Sequence, residues 1–269
     1  MSIPKVIHYC WFGNKLKPQL VDDCITSWKE ILTDYNIIEW NEKNTDLKHP
    51  FIKKAYRQKK WAFVSDFVRL KVLYEYGGIY LDTDMLILKA LDDFLEDKCF
   101  FGAEDEEYIS AGIIGSIKYH QFIYDCLQEY EKIKINNETS WLGISVPKII
   151  TQVFKNNFNF DGFFKEKKEL YGIVVYPSSY FYSLNLKNRG DIKNYRNYLT
   201  DDSYAVHLWN SSWIEPNEYQ YIRNKQYYKG LKKVMSNIIS NRSISFFYLR
   251  KILSSLKESL LTKQKKKLP

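Results

Sequence analysis

Two acids one residue apart, Asp82 and Asp84, stand directly after the apolar run Ile79-Tyr80-Leu81. Alternate residues of an extended segment share a face, so this spacing predicts two carboxylates converging at the end of a buried strand. Paired carboxylates repel each other unless a cation lies near them, and oxygen ligands suit hard ions such as Mg2+ or Mn2+. Such ions keep open positions that phosphate oxygens fill. A solvated turn carrying two acids has the same pattern, so the pair alone decides little.

The segment before it adds weight. Phe63, Val64, Phe67, Val68, Leu70, Val72 and Leu73 cover most of the circumference of a helix predicted over Trp61 to Tyr76. Asp66 and Arg69 lie three apart on that buried helix and so share a face. Two readings are open: a structural ion pair, or Asp66 accepting from ligand hydroxyls while Arg69 meets anionic or hydroxyl oxygens. Trp11 closes an apolar N-terminal run and is a candidate for stacking on a base. His207 is a candidate late metal ligand. A core tryptophan and a satisfied core histidine are the plainer alternatives.

The elements that must hold these residues alternate. Val6–Phe12 and Ile37–Trp40 read as strands, Asp22–Leu32 as a helix. The long helix stops at Gly77-Gly78, and further strand-like and helical stretches alternate to Trp209. Alternation of this kind predicts an α/β fold with a largely parallel sheet, whose ligands sit at the carboxyl ends of the strands.

The 269 residues are 45% hydrophobic and 27% charged, a globular balance. The four cysteines form no C-x-x-C pair, so neither a zinc ribbon nor a thioredoxin-type site is expected. The motifs of P-loop, dinucleotide-binding, zinc-protease and α/β-hydrolase enzymes are absent. The N-terminus does not read as a signal peptide and no apolar run is long enough to span a bilayer, so a cytoplasmic location is the expectation.

The net charge of +8 is unevenly placed. From Arg223 to Pro269 there are thirteen Lys/Arg and one acid, Glu258, whereas the first 222 residues hold 27 Lys/Arg and 31 Asp/Glu. A basic appendage on a mildly acidic body argues against a nucleic-acid enzyme, which carries its basic charge around the cleft. The division expected is a body over 1–222 and a basic, amphipathic helical tail over 223–269. Phe246, Leu249, Leu253, Leu256 and Leu260 recur at helical spacing beside Arg250, Lys251 and Lys257, which is the pattern of a helix lying on an anionic membrane surface. A helix packed on protein has the same stripe.

Three blocks in order resemble glycosyltransferase family 32, the DXD-containing sugar transferases. They are Ile3 to Gly13, the segment from Trp61-Ala62-Phe63-Val64-Ser65-Asp66 through Gly77-Gly78-Ile79-Tyr80-Leu81-Asp82-Thr83-Asp84, and His207 with Ser211-Ser212-Trp213. The glucosyltransferase domains of large clostridial cytotoxins are similar in the same places. The resemblance implies a GT-A fold, a nucleotide-sugar donor (UDP-sugar favoured), Mn2+ or Mg2+, and transfer of a hexosyl or N-acetylhexosaminyl group with retention. It implies that Trp11 stacks on the nucleobase, Tyr80 lies beside the ribose, and Asp66 and Arg69 hold the sugar. It also implies that Asp82, Asp84 and His207 hold the metal, and that Ser211 and Trp213 meet the phosphates. Ser110-Ala111-Gly112 departs from the Asn that many relatives carry there. The expected enzyme extends a lipid-linked glycan of a capsular type at the inner face of a bacterial membrane. The rivals are a degenerate transferase acting as a membrane-bound partner subunit and a haloacid-dehalogenase-type phosphotransferase.

Overall fold

The computed structural model describes residues 2–135, 141–209, 218–223, 225–241 and 245–261. The chain forms two compact units, Met1–Asn210 and Ser211–Pro269. Strands β1 (Val6–Cys10) and β2 (Asn36–Trp40) flank helix α1 (Gln19–Ile31). Helices α2 (Pro50–Arg57) and α3 (Trp61–Tyr76) then lead into β3 (Gly78–Leu81), β4 (Met85–Ile87), β5 (Cys99–Ala103) and β6 (Ile109–Ser116). The unit continues with α4 (Gln121–Lys132), α5 (Val146–Phe158), β7 (Lys168–Leu170), β8 (Ile173–Tyr176), α6 (Ser178–Phe181) and β9 (Ala205–His207).

A seven-stranded sheet runs β2-β1-β3-β6-β5-β8-β7, and β4 pairs with β9 in a second, two-stranded sheet. Strands β2, β1, β3, β5 and β8 run one way, while β6 and β7 run the other. The predicted α/β fold with a largely parallel sheet is therefore present, with one reversed strand beside β3. This is the GT-A arrangement that the resemblance implies. The inner strands β1, β3, β6, β5 and β8 are buried on both faces, as strands between helices must be, while the edge strands β2 and β7 are partly exposed. One core gathers Phe51, Phe67, Tyr130, Phe154 and Phe101. The other gathers Trp28, Ile79, Leu81, Phe94, Phe100, Tyr182 and Val206.

Helix α3 has the predicted bounds. It ends because Gly77, at φ +67°, turns the chain out of the helix while its N–H still bonds to the Leu73 carbonyl at 2.9 Å. Gly78 follows at φ +106°, and a Cβ there would lie 2.6 Å from the Val6 carbonyl oxygen. Only glycine fits both demands. His8, fully buried, secures the junction: Nδ1 accepts from Trp40 Nε1 at 3.0 Å, so Nε2 carries the proton and donates to the Gly77 carbonyl at 2.8 Å. His8 also stands opposite Tyr80 in the β1–β3 ladder. The same junction thus sets where β3 begins and where its acids end.

In the second unit, α7 (Glu218–Arg223) packs on both α8 (Tyr227–Asn241) and α9 (Phe246–Leu261). The compact unit accordingly begins ahead of the composition shift at 222. Arg223 pairs with Glu258 at 2.6 Å, and Tyr227 Oη lies 3.2 Å from Ser259 Oγ. The apolar stripe expected on α9 divides. Ser255 and Ser259 occupy the packed side with half-buried Ile252 and Leu256, whereas Leu253 and Leu260 are 65% and 66% exposed and Leu249 is also exposed. A stripe built from intervals of three and four is wider than the contact one neighbouring helix offers, so part of it stays outside. The side chain of Phe246 lies outside the described residues. Tyr228, Leu231 and Met235 are exposed on α8.

Candidate active site

Asp82, Thr83 and Asp84 form a tight turn rather than the extended strand end expected. β3 stops at Leu81. The Asp82 N–H donates to the Gly112 carbonyl at 2.7 Å, and the Met85 N–H closes back on the Asp82 carbonyl at 3.0 Å. The chain has to reverse here because β4 leaves the main sheet to pair with β9. Fully buried Trp28 holds β4 in place by donating from Nε1 to the Met85 carbonyl at 2.7 Å. Convergence of the acids survives by this different route, and β9 supplies a third group. Met85 faces His207 in the β4–β9 ladder, which brings His207 Nε2 to 3.0 Å from Asp84 Oδ1. One ligand atom each from Asp82, Asp84 and His207 lies within 4.8 Å of the others.

This trio fits a divalent cation. Two carboxylates and an imidazole are a hard, oxygen-rich donor set. His207 is buried, and its Nδ1 has no hydrogen-bond partner, an arrangement that is costly without a compensating group. Burial works against a charged imidazole, yet the Asp84 carboxylate, with Asp82 and Glu104 behind it, holds the His207 pKa above its ordinary value.

Arg69 joins this trio to Asp66. Its Nη2 donates to Asp66 Oδ1 at 2.9 Å, and Nη1 lies 3.1 Å from Asp82 Oδ1 and donates to the Ala111 carbonyl at 2.6 Å. Nε donates to the Ser65 carbonyl at 3.4 Å. The pair is therefore a structural ion pair, and Arg69 extends it to Asp82. Most of the guanidinium's donors are already engaged, so Arg69 chiefly fixes Asp66 and Asp82 relative to each other. Burial opposes its charge, but Asp82, Tyr80 and Asp66 together keep it protonated. The second oxygen of Asp66 accepts from the Val146 N–H at 3.2 Å, in the first turn of α5, and so answers one of the unpaired donors of that helix end. Burial pushes the Asp66 pKa up to about 6, against the pull of Arg69.

Tyr80 is buried under this frame, with the Arg69 guanidinium 4.5 Å from its ring centroid and its hydroxyl donating to Asp82 Oδ1 at 3.2 Å. Trp11 is half-buried just past β1, where its Nε1 donates to the Lys15 carbonyl at 2.7 Å. The structure therefore brings together Asp66, Arg69, Tyr80, Asp82, Asp84 and His207. Ser211 and Trp213 lie outside the described residues. Two further groups border the trio: Tyr182, whose ring centroid is 5.6 Å from that of His207, and Glu104, whose charge acts on His207. Neither belongs to a motif. Strand β5 pointed only to a core.

Residues 18–101 match the family model described as glycosyltransferase sugar-binding region containing DXD motif, and residues 116–236 match the alpha 1,4-glycosyltransferase conserved region. A human alpha-1,4-N-acetylglucosaminyltransferase is 26% identical over 190 residues, which is 68% of this chain and 50% of that protein. A rat lactosylceramide 4-alpha-galactosyltransferase is 26% identical over 159 residues, 55% of this chain and 40% of that protein. An inositol phosphoceramide mannosyltransferase 3 of Schizosaccharomyces pombe is 27% identical over 153 residues, 53% of this chain and 41% of that protein. The chain spans about half the length, or less, of these curated relatives. Among solved structures, PaToxG glycosyltransferase aligns with a TM-score of 0.47 at 19% identity, covering 59% of this chain and 70% of that one. The galactosyltransferase LgtC aligns at 0.42 and 12%, covering 91% and 99%.

Proposed function

We propose that this chain, which carries the DXD-containing sugar-binding region of glycosyltransferases, moves a sugar from a nucleotide-sugar donor to a hydroxyl of a glycan, with retention at the anomeric carbon. The observation that carries the reading is the continuous frame Asp66–Arg69–Asp82, which ends on the Asp82, Asp84 and His207 trio. It sets the Asp66 carboxylate beside a group of side chains that could hold a cation. Among the described residues the trio is the one group of this kind found.

A divalent cation such as Mn2+ or Mg2+, held by Asp82, Asp84 and His207, would offset the negative charge that builds on the leaving diphosphate. The protein's own groups do the rest. Asp66 accepts from hydroxyls of the donor sugar and so orients it. Arg69 locks Asp66 and Asp82 in place, so the frame is set before the donor binds. Trp11 stacks on the nucleobase. As the glycosidic bond to the phosphate breaks, the acceptor oxygen attacks the same face of the sugar and its proton passes to the departing phosphate oxygen, so no protein base is required.

Retention is favoured by the names of the relatives. Two of those names specify an α linkage, and an α product from an α-linked donor keeps its configuration. The galactosyl and N-acetylglucosaminyl transferases among them favour a UDP-sugar donor, and the lactosylceramide and inositol phosphoceramide in two of the names favour a lipid-linked acceptor. Exposed Leu249, Leu253 and Leu260 beside Arg250 and Lys257 favour a place on an anionic membrane surface, which we assign to the inner face of a bacterial membrane.

The test is nucleotide release and sugar transfer from UDP-galactose, UDP-glucose, UDP-N-acetylglucosamine and GDP-mannose, with lactose-terminated and other glycolipid acceptors, in Mn2+ and in EDTA. Metal-dependent transfer from one donor is expected. No nucleotide release from any donor overturns the reading.

A further inference from the structure

We propose that Glu104 receives the acceptor, its carboxylate hydrogen-bonding the sugar hydroxyls that flank the attacking oxygen; this rests on the transferase reading above.

The placement comes from the strand. β5 runs parallel to β3, so Glu104, the residue after β5, leaves the sheet at the same edge as Asp82. Side chains alternate along a strand. Phe101 and Ala103 enter one core, and Phe100 enters the other. Gly102 shares the Phe100 face: a Cβ there would meet the Phe181 and Tyr182 rings at 2.7 Å. Glu104, two residues on, continues that face above Tyr182.

Tyr182 marks what lies beyond. Its hydroxyl accepts from the Ile113 N–H at 3.0 Å and stands 2.9 Å from where a Gly112 Cβ would be, a point itself 3.4 Å from Asp82 Oδ2. Its ring faces His207 edge-on. Glu104 therefore stands on the His207 side of the trio, across from Asp66 and Arg69. In keeping with this, the Glu104 charge acts on both His207 and Tyr182.

The chemistry follows from what Glu104 lacks. Its backbone N–H bonds to the Tyr108 carbonyl, but among the described residues its carboxylate has no hydrogen bond and no ion pair, although the residue is half-buried. A half-buried carboxylate that no protein group engages has acceptor sites free for an incoming donor. The donor sugar is assigned to the Asp66 side, and a diphosphate would repel a third carboxylate. A neutral, hydroxyl-bearing acceptor supplies donors without charge, and a carboxylate takes two neighbouring hydroxyls well.

The test compares the full-length chain with Glu104→Ala and Glu104→Gln, using the donor and acceptor that the wild type selects in the panel above. Acceptor KM, and the ratio of sugar transferred to acceptor against nucleotide lost to water, are read in Mn2+. Glu104→Ala is expected to raise acceptor KM about tenfold or more and to lower the transfer-to-hydrolysis ratio similarly. Glu104→Gln, the same size and still an acceptor through its amide oxygen, is expected to fall between. An acceptor KM unchanged in both variants overturns the proposal. So does a loss in which hydrolysis and transfer fall together with a weaker Mn2+ requirement curve, since Glu104 would then serve the trio. A wild type that fails on every donor overturns the transferase reading instead, and the wild-type control tells the two failures apart.

Discussion

Asp84 and His207 are 123 residues apart in the chain, and they meet at 3.0 Å because β4 and β9 pair with Met85 opposite His207. The contact ties the acid motif to the end of the first compact unit. It also makes Asp84 the acid whose function is most separable from folding, since it follows β3 on a turn and fills no core. Asp84→Asn is expected to abolish transfer, by a hundredfold or more, and to leave the thermal transition close to wild type. Sugar transfer in a Mn2+ titration and a melting curve check this. Substantial turnover by the variant, or full activity of the wild type in EDTA, would remove the metal assignment.

Asp66 should give donor binding a pH dependence. Its folded pKa is pushed up to about 6, above the ordinary carboxylate value, by burial. Only the ionised form accepts from a sugar hydroxyl on both oxygens. Donor affinity should therefore be full above that pH and fall as pH drops through about 6. Donor KM measured from pH 5 to 8 tests the direction. In Asp66→Asn the step should vanish, and the variant should discriminate between donor sugars differently from wild type. Removing one partner of a buried ion pair outright costs about 3–5 kcal/mol, so Asp66→Ala is the poorer probe.

Trp11→Ala should weaken donors in proportion to their shared nucleotide, not their sugar. One base–aromatic stack is worth about 1–3 kcal/mol, so dissociation constants for UDP, UDP-galactose and UDP-glucose should rise by a similar factor. Calorimetric titration of the three is the measurement. A loss confined to one sugar would move Trp11 from the base to the sugar.

Gly78→Ala should cost stability rather than chemistry. The new Cβ would press on the Val6 carbonyl oxygen at 2.6 Å in a backbone conformation that side chains rarely adopt. Strain of this kind is worth about 1–3 kcal/mol. The melting temperature should fall by several degrees, with donor KM in the surviving folded protein little changed. An unshifted melting temperature would show that the β1–β3 junction yields.

Much of this was legible because it is local. Helix α3 and its Gly77-Gly78 stop follow from periodicity and from glycine's freedom at positive φ, and the structure keeps those bounds. The acids were found by spacing, but their geometry was not. A turn and a strand end both present i and i+2 together, and only the departure of β4 to pair with β9 decides between them. The roles of Glu104 and Tyr182 are hidden for the same reason. A lone Glu after an apolar strand and a Tyr among many aromatics acquire meaning only when long-range pairing brings them beside His207. On α9 the apolar period predicts a helix, but which part of a wide stripe is covered depends on the neighbour, and a sequence stripe does not name its neighbour.

That exposed part of α9 is the basis of the last prediction. Leu253 and Leu260 are about two-thirds uncovered, Leu249 is exposed with them, and Arg250 and Lys257 fall on the adjoining strip. If this face meets lipid, the wild-type chain should sediment with vesicles containing phosphatidylglycerol and far less with pure phosphatidylcholine. Each Lys or Arg near an anionic surface contributes roughly 1 kcal/mol, and several with an apolar strip give reversible binding. The attraction should weaken as salt rises, because exposed charges are screened beyond about 8–10 Å at physiological ionic strength. Leu253→Asp with Leu260→Asp leaves buried Ser255 and Ser259 in place, so the helix should remain packed while vesicle binding is lost. Activity on a lipid-linked acceptor should drop several-fold more than on a short soluble one. Vesicle binding that is absent in the wild type, or unchanged in the double variant, would mean that the strip meets protein instead.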